Sequence, residues 1–233
     1  DLKASNDEEL GKEVLYHQLY KGHPYESYNY GDLSDLEALT LDDVKAFYAN
    51  QFTQSKLTVG LIGAIPSDVK STMMKDLTSL AQGKESRLTI PDAPALQGHH
   101  ATIVEKSAQS TAVSFGFPID TIRSSDDWTA LWLVRSYFGE HRSSNSFLYQ
   151  RIRQTRGMNY GDYAYIEYFP RGMFQTKPDA NLGRSEQIFQ VWLRPLRSNN
   201  DAHFATRTAL FELDKLIKNG ISKEDFEATR NFL

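Results

Sequence analysis

Residues 147–160 constrain the fold most, because they join a helix directly to a strand. Leu148 and Ile152 are four residues apart, which places both on one face of a helix. Gly157 is predicted to end that helix, since the residue just past a helix end often needs a positive φ. The tyrosines that follow are typical of a strand: Tyr160, Tyr163, Tyr165 and Tyr168. The segment therefore predicts a helix-to-strand corner.

Apolar periodicity predicts further helices over residues 7–21, 40–52, 66–80, 126–138, 201–218 and from 222 onward. Two of them begin with a capping pattern, Thr40-x-x-Asp43 and Ser222-x-x-Asp225. Strands are predicted over residues 56–63, 101–106, 111–117 and 187–194. Helices and strands alternate irregularly, and few runs are continuously rich in Val and Ile. We therefore predict an α+β fold with antiparallel sheets.

Residues 82–98 differ in character from the segments around them. Gly83, Pro91, Pro94 and Gly98 fall there, among several charged residues. Glycine and proline at this density mark a connection between domains. We predict three parts: residues 1–84, a linker at 85–99, and residues 100–233.

Composition excludes several classes of protein. The net charge of −4 weighs against nucleic-acid binding as the main role, and no apolar run reaches the length of a membrane span. Zero cysteines exclude disulfides and thiolate metal sites. The compartment stays open, with the bacterial periplasm and secretion as candidates. Because the chain opens and closes inside helical patterns, we expect a fragment of a longer protein.

The histidines give no zinc motif. Tyr137-x-x-Glu140-His141 has the outline of a metallopeptidase motif, but a tyrosine stands in the place of the first ligand. Glu140 and His141 are therefore predicted to be polar loop residues. His99 and His100 are predicted to be a solvated pair.

Arg153 and Tyr160 form a candidate site. A guanidinium and a phenol at one corner could donate hydrogen bonds to a carbonyl oxygen or stabilise an oxyanion. Alternatively, Arg153 occupies a helix C-terminus, where the dipole favours cations, and Tyr160 packs in a sheet. Spacing alone favours that structural alternative. Arg151 and Arg156 are predicted to be solvated cations.

Several motifs, in order, resemble a known family. His23-Pro24-Tyr25, residues 39–48 and residues 57–63 resemble the middle of pitrilysin/insulinase-type zinc peptidases. Residues 145–160 are similar to that family's Ser-Ser-Arg-Leu-Phe-x-x-Leu-Arg-x-x-x-Gly-Leu-x-Tyr segment, and residues 219–227 to its Gly-Val-Thr-x-Glu-Glu-Leu helix start. Three features depart from the pattern: Glu26 replaces a glycine, Gly60 interrupts the strand, and the excursion over residues 169–184 is long.

The resemblance implies a fold and a site. It implies two α/β-roll lobes of the metallopeptidase type, the first of them partial. Zinc in the intact protein would be bound by an inverted His-x-x-Glu-His motif and a further glutamate, all expected upstream of Asp1. Glu8, Glu9 and Glu13 are therefore not expected to be ligands, and this chain should hold no metal. The family's Arg-x6-Tyr pair corresponds to Arg153 and Tyr160, which would bind substrate across the chamber from the zinc.

The implied function is part of a zinc-dependent metallopeptidase that hydrolyses peptide bonds. The expected partners are a peptide or unfolded protein substrate and an N-terminal zinc-binding lobe or partner subunit. The chain by itself should be inactive. Two alternatives stay open: a non-catalytic subunit or scaffold of the same fold, and a peptide-binding module that recognises strands at a sheet edge.

Overall fold

The computed structural model describes residues 5–84, 89–141, 143–169 and 183–233, which form two compact units. The first unit contains residues 1–27 and 91–233, and the second contains residues 28–90. The helices are α1 (Asp7–Leu19), α2 (Leu33–Ala38), α3 (Leu41–Gln51), α4 (Ser67–Leu77), α5 (Asp127–Gly139), α6 (Asn199–Asn219) and α7 (Lys223–Phe232). The strands are β1 (Thr111–Ile119), β2 (Asn159–Tyr165) and β3 (Gln187–Leu196). Most of the predicted excursion over residues 169–184 lies outside the described residues.

The strands form one antiparallel sheet in the order β1-β3-β2. Phe115 of β1 and Ala164 of β2 both lie opposite Val191 of β3. The central strand β3 is buried along nearly its whole length, because it has a partner on each side. The predicted α+β fold with an antiparallel sheet is confirmed.

Helices cover one face of this sheet and enclose the main core. Leu148 and Ile152 are both fully buried there, as their spacing predicted. Val191 and Leu193 contribute from β3, and Phe138 contributes from α5. The core therefore lies between the sheet and the segment that leads into the corner.

Helix α1 packs on the sheet through polar contacts. Gln190 Nε2 donates to the Tyr16 hydroxyl at 2.7 Å, and Arg194 Nη1 lies 2.7 Å from Glu8 Oε2. Since residues alternate across a strand, Gln190 and Arg194 lie on the opposite face from Val191. Both faces of the sheet are thus covered, one by the main apolar core and the other by these polar contacts beside a buried aromatic cluster of Tyr163, Tyr165, Phe169 and Trp192.

The second unit has helices but no buried apolar side chain among its described residues. Helix α3 begins with a complete capping box at Thr40 and Asp43, as predicted. By contrast, residues 57–63 form no strand, so the prediction of a strand over residues 56–63 is wrong. The described part of this unit contains no other strand with which they could pair, and Ile62 is 100% exposed. Residues 101–106 likewise form no strand.

No helix in the described parts of the chain combines the length and the apolar character needed to cross a membrane.

Candidate functional site

The corner between residues 147 and 160 is built from a π-helical turn. Residues Tyr149–Gln154 form this turn, and Gly157 follows with φ of 59°. The Gly157 amide donates to the Arg153 carbonyl oxygen at 2.7 Å. Strand β2 starts two residues later, so the predicted corner at Gly157 is present. The regular helix gives way to the wider π-turn, a geometry often found at functional sites.

The corner brings Arg153 and Tyr160 into contact. Arg153 Nη1 donates to the Tyr160 carbonyl oxygen at 2.8 Å, and the guanidinium carbon lies 4.2 Å from the centre of the Tyr160 ring. Tyr160 is 64% exposed and Arg153 is half-buried. A guanidinium has five N–H donors, so one bond to a carbonyl does not exhaust it. The pair can present N–H and phenol donors to an acceptor in solvent.

Tyr149 is a third member of the site, which the sequence analysis missed. Its ring centre lies 4.8 Å from the Arg153 guanidinium carbon, one helical turn before Arg153. Arg153 therefore contacts two aromatic rings, Tyr149 and Tyr160. A tyrosine four residues before an arginine is a signal that the sequence did contain, since such pairs are neighbours on a helix surface.

Asn159 and Asp162 lie on β2, before and after Tyr160, and were also missed. Asn159 Nδ2 donates to Asp162 Oδ1 and to the Gly161 carbonyl oxygen. Burial raises the pKa of Asp162 to about 7, although the Asn159 hydrogen bond and the Arg153 charge both oppose that rise. The available signal was an aspartate at an inward position of a tyrosine-rich strand.

The neighbouring arginines have other partners. Arg151 keeps 42% of its side chain exposed, and its Nε lies 2.9 Å from Oε1 of the buried Glu212, an ion pair that the prediction of a solvated cation did not include. Arg156 is exposed, as predicted, and its guanidinium carbon lies 5.6 Å from the Phe204 ring centre. Arg153 is therefore the arginine of this segment that faces the tyrosines.

His141 lies in the loop after α5, as predicted, and its side chain is buried there. Its ring centre lies 4.6 Å from that of Tyr163, and its Nδ1 contacts the Tyr165 hydroxyl. Glu140 accepts two hydrogen bonds from Arg135, at 2.9 and 2.8 Å. Among the described residues, no group of three or more His, Asp or Glu side chains is placed to hold a metal ion.

Comparison with known proteins gives a family match over most of the chain. Residues 38–233 match the family described as peptidase M16 inactive domain. The chain is 23% identical over 194 residues to an uncharacterised zinc protease of Mycobacterium leprae, which covers 82% of this chain and 43% of that protein. An uncharacterised zinc protease of Mycobacterium tuberculosis is 21% identical over 171 residues, covering 72% of this chain and 38% of that protein. The chain thus spans less than half the length of these curated relatives.

Solved structures share the fold. A peptidase M16 inactive domain from Pseudomonas fluorescens matches with a TM-score of 0.78 at 18% identity, covering 98% of this chain and 51% of that one. A protease from Helicobacter pylori matches with a TM-score of 0.68 at 18% identity, covering 93% of this chain and 50% of that one. The mixed helices and antiparallel sheet of this chain are the arrangement that these structures share with it.

Proposed function

Because the chain belongs to the peptidase M16 inactive-domain family, we propose that it supplies the substrate-binding lobe of a zinc-dependent metallopeptidase. In this role Arg153 and Tyr160 contact a peptide substrate near the bond that is cleaved. The zinc is held by an N-terminal zinc-binding lobe or by a partner subunit. The described residues of this chain do not fit a zinc site, so the chemistry assigned to them is that of binding.

One observation carries this proposal: the accessible guanidinium–phenol pair at the corner. Arg153 lies 4.2 Å from the Tyr160 ring centre, and Tyr160 is exposed. A peptide carbonyl accepts hydrogen bonds, and developing negative charge on its oxygen strengthens them. A pair whose donors face solvent can bind such an oxygen without prior rearrangement.

The second unit supports the proposal of a partner lobe. Helix α3 exposes one apolar face, formed by Leu41, Val44, Phe47 and Tyr48. An apolar face of this kind marks an interaction surface in a soluble protein. We propose that the N-terminal zinc-binding lobe, which carries the metal, covers this face.

The test is peptide hydrolysis by the natural protein that carries this chain. Substituting Arg153→Ala or Tyr160→Phe should lower kcat/KM for a quenched fluorescent peptide by about 10²-fold, the usual cost of removing an oxyanion donor. Arg156→Ala and Tyr30→Phe are matched controls, since both residues are exposed and the Arg156 guanidinium lies over the Phe204 ring. The hydrolysis should also be abolished by a metal chelator.

Two results would contradict the proposal. One is an equal loss of kcat/KM in the control variants. The other is loss of folded structure, seen by circular dichroism, in both site variants, because Arg153 and Tyr160 would then serve the fold alone.

A second candidate is favoured by the family description, which is that of an inactive domain. Here the protein is a non-catalytic subunit or scaffold that binds peptides. This function predicts no chelator-sensitive hydrolysis by the natural protein. It also predicts that an unfolded peptide binds the wild-type protein more tightly than it binds Arg153→Ala, which isothermal titration calorimetry would measure.

A further inference from the structure

His23 lies close to the two points where the chain passes from one compact unit to the other. The chain leaves the first unit after Ser27 and returns to it at Pro91. His23 Nε2 lies 2.9 Å from the Pro91 carbonyl oxygen, although the two residues are 68 apart in sequence. The imidazole therefore fastens the returning segment beside the departing one, within the first unit.

The two hydrogen bonds of His23 determine its protonation state. The Tyr25 backbone N–H donates to Nδ1 at 3.0 Å, so Nδ1 carries no proton. The Pro91 carbonyl oxygen can only accept a hydrogen bond, so the proton lies on Nε2, which donates to it. His23 is 5% exposed, so both bonds are largely shielded from water. An imidazole with one accepting and one donating nitrogen is neutral.

We propose that His23 is a pH-sensitive clasp, which holds the two connections to the second unit together while its ring is neutral and releases them when the ring is protonated. A proton on Nδ1 would face the Tyr25 N–H, so the imidazolium loses this hydrogen bond and also carries a buried charge. Both penalties are removed when the short turn Pro24–Glu26 opens and the ring reaches water. The bond to Pro91 should open with the turn, because the same ring makes both bonds.

Aromatic and cationic groups surround the His23 ring. The Tyr20 and Tyr25 ring centres lie 5.4 and 4.7 Å from its centre. Burial is the main cause that raises the pKa of Tyr20 to about 12, so the Tyr20 hydroxyl is neutral at physiological pH. The Arg184 guanidinium carbon lies 4.2 Å from the Tyr25 ring centre. A nearby positive charge makes the protonation of an imidazole less favourable.

The acidic side chains of the surrounding segments have contacts of their own. Glu26, in the turn itself, lies 3.2 Å from Nδ1 of His17 on α1. Glu186 accepts from the Ala93 amide at 3.0 Å, which is a second attachment of the returning segment. Asp92 is exposed. A protonated imidazole would have to compete for these carboxylates, whereas water solvates it once the turn opens.

NMR of the natural protein that carries this chain tests the clasp. At pH 8 the ring nitrogens of His23 should show the tautomer with the proton on Nε2. Histidine ordinarily changes its charge between about pH 8 and pH 5, and over that range the Tyr25 and Asp92 amides should lose order together. Their order parameters should fall from the rigid value of about 0.85 towards 0.6.

Two variants separate the clasp from other titrating groups. His23→Asn keeps an oxygen that can accept from the Tyr25 amide, as at a helix N-cap, but its side chain is too short to reach Pro91. In this variant the Tyr25 amide should stay ordered and the Asp92 amide should be mobile, both at every pH. His17→Gln is the matched control, because His17 is an exposed histidine beside the same turn. It should titrate as the wild-type protein does.

A proton on Nδ1 of His23 at pH 8, or amides whose order does not change on acidification, overturns the inference. A transition that persists in His23→Asn, or that disappears in His17→Gln, does so too. Asp162, with a pKa of about 7, also changes charge in this range, but it is unchanged in His23→Asn. The wild-type titration needs no variant, so a failure of His23→Asn to fold does not remove the test. The clasp does not depend on whether the chain binds a peptide.

Discussion

Two phenylalanines show how differently the two compact units are built. Phe138 in the first unit is fully buried against the sheet, whereas Phe47 in the second is 61% exposed on α3. Both residues lie on helices of similar length, with Phe138 on a helix of 13 residues and Phe47 on one of 11. The difference lies in what each helix faces. The first unit provides a three-stranded sheet, and the described part of the second provides no strand.

This difference indicates which interactions stabilise each unit. In the second unit, hydrogen bonds supply the stabilising contacts. The Gln54 side-chain amide, for example, donates to the Thr78 carbonyl oxygen at 3.0 Å and to the Leu80 carbonyl oxygen at 2.6 Å. Hydrogen bonds contribute little net free energy in water compared with apolar burial. The first unit should therefore be stable by itself, while the second should depend on whatever covers its apolar face.

The largest expected effect separates the two units by a matched pair of substitutions. Phe138→Ala should lower the free energy of unfolding of the first unit by about 3–5 kcal/mol, because it leaves a cavity in the core. Phe47→Ala should change the stability of the isolated chain by only about 0.5 kcal/mol, since the side chain is already in solvent. Urea unfolding measures both, followed by tryptophan fluorescence for the first unit and circular dichroism for the second.

The fluorescence readout is specific, because Trp128, Trp132 and Trp192 all lie in the first unit. Similar losses of stability in the two variants would contradict the contrast between the units. In the natural protein, Phe47→Ala should become costly if a partner lobe covers α3. An unchanged stability there would remove the proposed docking face.

A smaller effect is expected from filling space at two glycines. A Cβ added to Gly139 would lie 2.6 Å from the Ala164 nitrogen and 2.9 Å from the Ala164 Cβ. Gly139→Ala should therefore cost about 1–3 kcal/mol, because α5 and β2 must move apart. Gly60 in the second unit has no atom within 4 Å of the added Cβ. Gly60→Ala should be neutral or stabilising by about 0.4–1 kcal/mol, through the unfolded chain.

Thermal unfolding followed by circular dichroism compares the two glycine variants. If Gly139→Ala unfolds at the wild-type temperature, the close packing of α5 on β2 is not as described. If Gly60→Ala lowers the unfolding temperature more than Gly139→Ala does, the space around Gly60 in the second unit is not free.

The strands show what alternation in a sequence can and cannot predict. Residues 111–117 and 187–194 were predicted as strands and are strands, because each has an antiparallel neighbour. Residues 57–61 alternate just as clearly through Leu57, Val59 and Leu61, yet they form no strand. Alternation describes which side chains a strand would bury, but pairing depends on a partner strand that is often distant in sequence. The boundaries predicted at residues 84 and 99 stay a prediction.

In the site, too, contacts between residues close in sequence could be predicted, whereas contacts between distant residues could not. Arg153 and Tyr160 could be placed at one corner because Gly157 lies between them and ends the helical segment. Arg151 and Glu212 are 61 residues apart in sequence, and no local pattern predicts that they pair. Asp162 was not predicted as a site residue because its raised pKa comes from burial, which depends on the packing of helices against β2. Residue type and spacing therefore predicted the contact but not its surroundings.

The smallest expected effect concerns helix caps, which are chemically alike in the two units. Thr40 Oγ1 accepts from the Asp43 amide at 3.2 Å, and Ser198 Oγ accepts from the Asp201 amide at 3.1 Å. Thr40→Ala and Ser198→Ala should each remove about 1 kcal/mol of helix stability. In α6 that loss is spread over a helix anchored by the buried Ala205 and Ala209, so the helix should stay ordered. In α3, which buries no residue, the same loss should open the first turns.

Hydrogen exchange at the α3 and α6 amides distinguishes the two outcomes. Protection should fall by about fivefold in α3 of Thr40→Ala, which is what about 1 kcal/mol of local opening corresponds to, and by less in α6 of Ser198→Ala. Asp43 sharpens the comparison, because its hydrogen bonds from the Thr40 hydroxyl and amide lower the pKa of its carboxyl. The stabilising contribution of a carboxyl with a lowered pKa is present at neutral pH and is lost as the pH falls through that lowered value. Protection of α3 should therefore fall in acid in the wild-type protein and depend less on pH in Thr40→Ala. Equal protection of the two helices after cap removal would show that α3 has support beyond its own hydrogen bonds.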